Sequence, residues 1–330
     1  MKILVTGSLG QLGHCIYDVV TSPNRFRVNE YLFASHNEFD ITNPKNMDAY
    51  LQLNPGIECI INCAAYTNVD GAEKDPYTAF YVNSLGVKNL VDICEQHDIM
   101  LFHISTDYVY KDGLLSCNEE SEIEPINVYG QSKRDGELHI INSKLNHWYI
   151  FRTGWLYSPY GNNFFTKIMS KYYNIEKYKD IYREEKYNEN MRVVTDEIGS
   201  PTYGISLAET LVCILEHGYY ATTFKNGIYN ASGNGMASRY DFAANIVAGG
   251  FNIYIDGKRY GVKQIIDPIK QEDLNLPAKR PHCIIIDNKK LYSCLPVVQE
   301  HWLYDLQRCI TKYEENIKYE INSNKILYGK

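Results

Sequence analysis

Tyr129 and Lys133 stand four residues apart in Val128-Tyr129-Gly130-Gln131-Ser132-Lys133. At that spacing two side chains share one face of a helix. A cation beside a phenol favours the phenolate and lowers its pKa. A phenol tuned in this way can give or take a proton near neutral pH. Upstream runs His103-Ile104-Ser105-Thr106-Asp107-Tyr108-Val109-Tyr110, whose hydroxyls could hold a carbonyl or alcohol at a strand end. This is equipment for carbonyl/alcohol oxidoreduction. With 29 tyrosines in the chain, a Tyr-x-x-x-Lys spacing also arises by chance. It acquires meaning only beside a nicotinamide site.

The start of the chain, Met1-Lys2-Ile3-Leu4-Val5-Thr6-Gly7-Ser8-Leu9-Gly10-Gln11-Leu12-Gly13, supplies the elements of one. Ile3 to Val5 form an apolar, β-branched run suited to a buried parallel strand. Gly7, Gly10 and Gly13 follow, and then Ile16, Val19 and Val20 recur at helical spacing. Strand, glycine turn and helix together place a pyrophosphate on a helix N-terminus. The second strand, 28–34, ends at Ser35, His36 and Asn37 with no carboxylate at its tip. An acid there would select NAD through the ribose 2′-hydroxyl. Its absence points to NADPH, with Ser35 and protonated His36 as donors to the 2′-phosphate and NADH as the alternative. Asp40, followed by Ile41, is expected near the adenine or capping a turn.

Apolar strands expected at 2–6, 28–34, 58–63, 100–105 and 148–152 alternate with helices at 11–21, 44–53, 77–97 and 126–143. The pattern predicts an α/β, Rossmann-like doubly wound parallel sheet. Ligands on such sheets bind at the carboxyl ends of the strands. Gly7, Ala64, Ala65, Tyr66, Ser105, Thr106 and Trp155 all fall at those ends. A helix at 205–217 and a strand at 228–231 continue the pattern. The reading divides the chain into a cofactor domain (1–155 with about 204–231) and a smaller α/β substrate domain (about 156–203 and 232–330). Residues 171–192, rich in Tyr, Lys, Glu and Asn, read as an exposed, partly helical insertion. The charged, Asn-rich tail from about 314 is expected to be poorly ordered.

A chain of 330 residues with net charge −7 lacks the basic face of a nucleic-acid binder. It has no apolar run long enough for a bilayer and no signal peptide, so a cytoplasmic protein is expected. Nine cysteines are scattered without C-x-x-C or zinc spacing, which suits a reducing compartment. Cys59 and Cys63 read as small buried hydrophobes.

The ordered strings together resemble the extended short-chain dehydrogenase/reductases, and most closely the dTDP-4-dehydrorhamnose reductase family. They are Gly7–Gly13, Asn62-Cys63-Ala64-Ala65-Tyr66-Thr67-Asn68-Val69-Asp70, Ser105–Tyr110, Asn127–Lys133, Arg152-Thr153-Gly154-Trp155-Leu156-Tyr157, Gly161–Phe164, Val193–Thr202 and Ala278-Lys279-Arg280-Pro281. The resemblance implies hydride delivery from NADPH to C4 of a 4-keto-6-deoxy sugar nucleotide. It implies that Tyr129 is the proton donor, that Lys133 tunes Tyr129 and holds the nicotinamide ribose, and that Thr106 bonds the reacting oxygen. Ser105 is the alternate to Thr106. Gly7, Gly10, Gln11, Leu12, Gly13, Ala64, Ala65 and Tyr66 would line the cofactor, with Asn83 bracing the region. Val69, Asp107, Tyr108 and Trp155 would face the substrate, and Asn162, Asn163 and Arg280 would meet its diphosphate or the pocket rim.

Some family members bind a divalent metal at a dimer interface through an acid just after the third glycine. Here that stretch is His14-Cys15, so no metal site is expected, and a homodimer is left open. Sugar-nucleotide 4,6-dehydratases carry Thr-Asp-Glu where this chain has Thr106-Asp107-Tyr108, and 4-epimerases differ at Thr153-Gly154-Trp155. Two alternatives stay open: a reductase for a different deoxysugar nucleotide, and a non-catalytic NADP-binding subunit like that of methionine adenosyltransferase.

Overall fold

In the computed structural model, all residues are described except 24–26, 178–190, 251–252, 256–257, 261–265, 297–298 and 329–330; side chains are also not described at 171–177, 250, 253–255, 258–260 and 318–328. The chain begins with β1 (Lys2–Thr6), α1 (Gln11–Thr21), β2 (Glu30–Ala34), α2 (Pro44–Leu53) and β3 (Ile57–Asn62). After α3 (Val69–Lys74) come α4 (Pro76–Phe80), a π-helical turn (Tyr81–Leu85) and α5 (Gly86–His97). Next are β4 (Met100–Thr106), β5 (Leu114–Cys117), α6 (Val128–Ile141) and β6 (Trp148–Thr153). A strand at Gly227–Asn230 completes a six-stranded sheet in the order β2, β1, β3, β4, β6, Gly227–Asn230. Every pairing in it is parallel.

The strands are continuously apolar because both faces of the sheet are covered. Ile3 and Val5 point into one core with α1 and the helix Gly204–Glu216, whereas Leu4 points into the other beneath α2 and α5. The chain leaves β1 to form β2 on one side, then returns to form β3 on the other. That reversal opens the crevice where such sheets take ligands.

Helices 11–21 and 44–53 are found as expected, and strand boundaries move by one or two residues. The helix read at 77–97 runs without a break over 76–97, with a π turn at Tyr81–Leu85 inside it. The helix Trp302–Tyr328 extends into the tail expected to be loose from about 314. Trp302, Leu306, Cys309 and Ile310 anchor its first turns in the core at helical spacing. Of the expected insertion, the first part continues the helix Phe164–Lys177, the strand Met191–Val194 closes it, and 178–190 lie outside the described residues. Outside the main sheet are short two-stranded pairs, among them β5 with Ile284–Ile286 and Met191–Val194 with Ile266–Ile269. Among the described residues no helix is long and apolar enough to cross a membrane. None of the nine cysteines forms a disulfide.

Candidate active site

The glycine turn is built by backbone contacts that a side chain would prevent. Gly7 has φ +61°, and a Cβ there would lie 2.8–2.9 Å from backbone atoms of Cys63 and Ala64 at the end of β3. A Cβ on Gly13 would strike the Gly7 carbonyl and Ser8 at 2.6 Å, so that glycine lets α1 close on β1. Gly10 begins α1 with no side-chain cap and no acid in the first turn. The Gly10 N–H donates to Gly7 O, and the N–H groups of Gln11, Leu12 and Gly13 have no partner among the described residues and can meet an anion. The buried Gln11 Nε2 has no hydrogen-bond partner among the described residues, and Gln11 lines the central cavity. An unpartnered buried donor beside an uncapped helix N-terminus fits a dinucleotide pyrophosphate.

The tip of β2 differs from the sequence reading. Ser35 is not free for a 2′-phosphate: its N–H and hydroxyl both donate to Glu38 Oε2, at 2.8 and 2.6 Å. The carboxylate judged absent from the tip is folded back onto it from three residues downstream. His36 is exposed, 3.6 Å from Asp40. Asp40 accepts from the Thr42 N–H and hydroxyl and so caps a turn. Ile41 is buried against Gly86. Asn83 braces the region without lining the cavity. Its oxygen accepts from Tyr66 N, and its nitrogen donates to Tyr66 O and Ser132 Oγ.

α6 reaches the sheet through small residues. Side chains in place of Gly130 or Gly136 would run into the carbonyls of Tyr108 and Asn83. Its first turn is capped by Asn127, which accepts from Gly130 N and donates to Lys279 O. The helix thereby holds Tyr129 and Lys133 over the end of β4. Thr106, Tyr129 and Lys133 border one cavity of about 610 Å³ with Gln11 and Trp155. Val69, Asp107, Tyr108 and Asn162 also line it. Tyr129 meets Tyr108 edge-on at 5.9 Å.

Burial dominates the electrostatics of the inner wall. It pushes the Tyr129 phenol up to about 12, partly offset by a hydrogen bond with Thr106. The expected lowering by Lys133 is therefore corrected: Lys133 Nζ turns into the sheet and donates to the Ile104 carbonyl at 2.7 Å. Burial brings Lys133 itself down to about 8 against the opposing charges of Glu137 and Cys63. It lifts Asp107 to about 7, with Thr106 and Arg239 working against it. Ser105 belongs to a different assembly, donating to Glu137 Oε1 at 2.6 Å. Glu137 also receives Arg152 and Arg134.

Asn163 and Arg280, the other two expected diphosphate contacts, also line the cavity and in addition bond within the protein. Asn163 commits its amide to Ser158 O, Tyr160 O and Thr166 N, around the start of the helix Phe164–Lys177. Arg280 closes its fork on Asp70 at 2.8 and 3.0 Å. The cations that sequence reasoning missed are Lys167, Arg192 and Arg239, all lining the cavity. Arg239 pairs with Glu197 at 2.9 Å and lies 3.5 Å over the Trp155 ring. Trp155 has φ +45°, a left-handed conformation at the cavity wall. Arg239 follows Ala237-Ser238 in no motif, so only folding brings it here. Glu197 lies in the quoted Val193–Thr202 string, where it had no assigned role.

The glycine turn at a topological switch point, with Thr, Tyr and Lys on one cavity wall, defines the short-chain dehydrogenase/reductase class. The family model described as the RmlD substrate binding domain matches residues 1–315. The dTDP-4-dehydrorhamnose reductase of Aggregatibacter actinomycetemcomitans is 33% identical over 304 residues, 91% of this chain and 95% of that protein. The crystal structure of a dTDP-4-dehydrorhamnose reductase from Clostridium acetobutylicum superposes with TM-score 0.78 at 28% identity, covering 95% of this chain and 100% of that one. That of Bacillus anthracis, in complex with NADP, gives 0.75 at 28% identity, covering 94% and 99%. The chain belongs to the dTDP-4-dehydrorhamnose reductase family.

Proposed function

We propose that this protein uses NADPH to reduce the C4 keto group of dTDP-4-dehydro-L-rhamnose, giving dTDP-L-rhamnose in the cytoplasm. The carrying observation is that Thr106, Tyr129 and Lys133 share one cavity with the uncapped start of α1. Residues 1–155 and 204–231 act as the cofactor lobe, and 156–203 with 232–330 as the substrate lobe. Bound NADPH supplies the hydride. The α1 amides and Gln11 hold the pyrophosphate. Thr106 orients the carbonyl oxygen, and Tyr129 donates its proton to the developing alkoxide. A phenol kept protonated by burial is suited to act as an acid toward a strongly basic alkoxide. Lys133 then returns a proton to the phenolate. Lys167 and Arg192 attract the sugar-nucleotide diphosphate, while Arg239 is held by Glu197.

The test is NADPH oxidation with dTDP-4-dehydro-L-rhamnose, its UDP analogue alongside. Turnover that falls by about 10²–10⁴ in Tyr129→Phe, with NADPH still bound, supports the reading. Binding of NADPH without turnover of either substrate refutes it, and leaves another deoxysugar or a regulatory module.

A further inference from the structure

Behind Lys133 lies a buried polar chain to which the mechanism above gives no role. Thr6 Oγ1 donates to Asn62 Oδ1 at 2.8 Å, and the Ala64 N–H donates to the same oxygen at 3.2 Å. These two donors identify the Asn62 oxygen as the acceptor, so Asn62 Nδ2 must be a donor. It faces His103 Nδ1 at 3.0 Å. On the far side of the ring, Nε2 faces Lys133 Nζ at 3.4 Å. Thr6 and His103 are fully buried, and Asn62 and Lys133 nearly so. Thr6 and Asn62 end β1 and β3 and His103 lies within β4, on three adjacent strands in register Thr6 with Asn62 and Asn62 with His103.

The chain has a direction. An imidazole that accepts at Nδ1 and is neutral carries its proton on Nε2. Burial, with the nearby Lys133 charge, holds His103 neutral. The Nε2–H therefore points at Lys133 Nζ. An ammonium has three donors and no lone pair, so it cannot accept that bond. A neutral amine can, while one of its own hydrogens goes to Ile104 O. We propose that His103, oriented by Thr6 and Asn62, is a positioning residue that donates Nε2–H to the neutral amine of Lys133 and so favours release of the lysine proton to Tyr129.

The proton inventory balances. Tyr129 loses its O–H proton to the substrate alkoxide. An N–H bond of the Lys133 ammonium then breaks, the proton passes through solvent in the cavity that both side chains line to form the new O–H on the Tyr129 phenolate, and the amine is left to accept from His103. Solvent reprotonates the amine between turnovers. The other ionisable groups facing Lys133 are Cys63, after β3, and Glu137, one turn along α6 and ion-paired to Arg152 and Arg134. Asp107 faces Tyr129 from the end of β4. None of them can replace an N–H donor at the imidazole position.

The inference rests on Tyr129 as proton donor, but its first test needs neither sugar nor nucleotide. In the intact protein labelled with ¹⁵N-histidine, the His103 signal, assigned by its loss in His103→Gln, should show the Nε2–H tautomer. It should shift as Lys133 titrates. A His103 ring protonated on Nδ1 would overturn the proposal. In kinetics, His103→Leu should raise the basic limb of the kcat profile by on the order of one pH unit. Turnover at neutral pH should fall about tenfold, with NADPH dissociation changed by less than about twofold. His103→Gln, which keeps an N–H near the Nε2 position, should recover the wild-type limb. A wild-type profile in His103→Leu, or identical profiles in the Leu and Gln variants, would reduce His103 to a packing residue. Should the leucine variant not fold, the tautomer and the glutamine profile still decide.

Discussion

Replacing Glu137 with glutamine should unseat the catalytic helix while touching no reacting atom. The carboxylate is fully buried on α6. It accepts from Arg152 Nε and NH2 at 2.8 and 2.7 Å, Arg134 NH1 at 2.8 Å and Ser105 Oγ at 2.6 Å. It thus fastens the helix carrying Tyr129 and Lys133 to β4 and β6 together. Burial alone would raise its pKa, but the Arg152 bonds and charge, with Ser105 and Arg134, hold it below the usual carboxylate range. In Glu137→Gln one carboxylate oxygen becomes an NH2 facing guanidinium donors, and Arg152 is left as an uncompensated buried charge. Breaking such a pair costs about 3–5 kcal/mol. With an unfolding entropy of about 2.1 cal/mol/K per residue, that lowers Tm by roughly 4–7 °C for a chain of 330 residues. Because the folded pKa is depressed, the carboxylate's contribution is present above its ordinary pKa and lost as pH falls through the folded value. The difference between variant and wild type should therefore shrink in acid. The assay is calorimetry or circular-dichroism melting across pH, with NADPH turnover beside it. A Tm within about 1 °C of wild type at neutral pH would refute the anchoring argument. The double variant Glu137→Leu with Arg152→Met should recover part of the loss, since an apolar pair leaves no unpaired charge.

Gly7→Ala places a Cβ on a left-handed residue against the Cys63–Ala64 backbone. The conformational cost alone is about 1–2 kcal/mol, so NADPH affinity measured by fluorescence should weaken by about 5- to 30-fold; unchanged affinity would remove Gly7 from the cofactor turn. Asp107, raised by burial to about 7, stabilises the fold below its unfolded pKa, and that contribution is lost as pH rises through the folded value. Asp107→Asn should therefore gain stability relative to wild type from about pH 4 to 7, on the order of 4 kcal/mol; parallel pH–Tm curves would contradict a protonated carboxyl. Lys167→Gln and Arg192→Gln should each raise KM for the sugar nucleotide several-fold, leaving kcat and NADPH dissociation unchanged; a fall in kcat alone would deny them a binding role.

The frame was legible because its signals are local and repeated. β1, the glycine turn and α1 follow from apolar runs and three glycines, and α2 from one periodic stretch beginning at a proline. The π turn was not legible, because apolar spacing over 77–97 is compatible with one continuous helix. Within the π turn Asn83 bonds both Tyr66 and Ser132, contacts far apart in sequence. The helix that enters the charged tail starts upstream of it, where Trp302, Leu306, Cys309 and Ile310 seat one helical face in the core. Glu38 was missed because the strand tip was read as contiguous sequence, whereas the chain turns and returns a carboxylate to Ser35. The i, i+4 spacing placed Tyr129 and Lys133 on one face correctly. It could not say that the lysine stem would carry Nζ inward to Ile104 and His103.

That inward turn clarifies how one cavity handles a doubly anionic substrate and a proton transfer together. Burial shifts Tyr129, Lys133 and Asp107 each toward its uncharged form. At neutral pH Tyr129 is uncharged, and Lys133, at about 8, is still protonated but releases its proton more readily than an ordinary lysine. Fixed charge stands elsewhere: Lys167 and Arg192 are exposed at the cavity rim, and Arg239 is held by Glu197 and Trp155. Were the ammonium of Lys133 the main anion attractor, binding substrate would hold its proton more tightly and oppose its release to Tyr129. With the cations at the rim and His103 favouring the neutral amine, substrate binding and proton return make separate electrostatic demands. The same α6 that presents Tyr129 to the cavity presents Glu137 to Arg152 behind it, so the one strong buried ion pair on this helix anchors the helix without charging the reacting side.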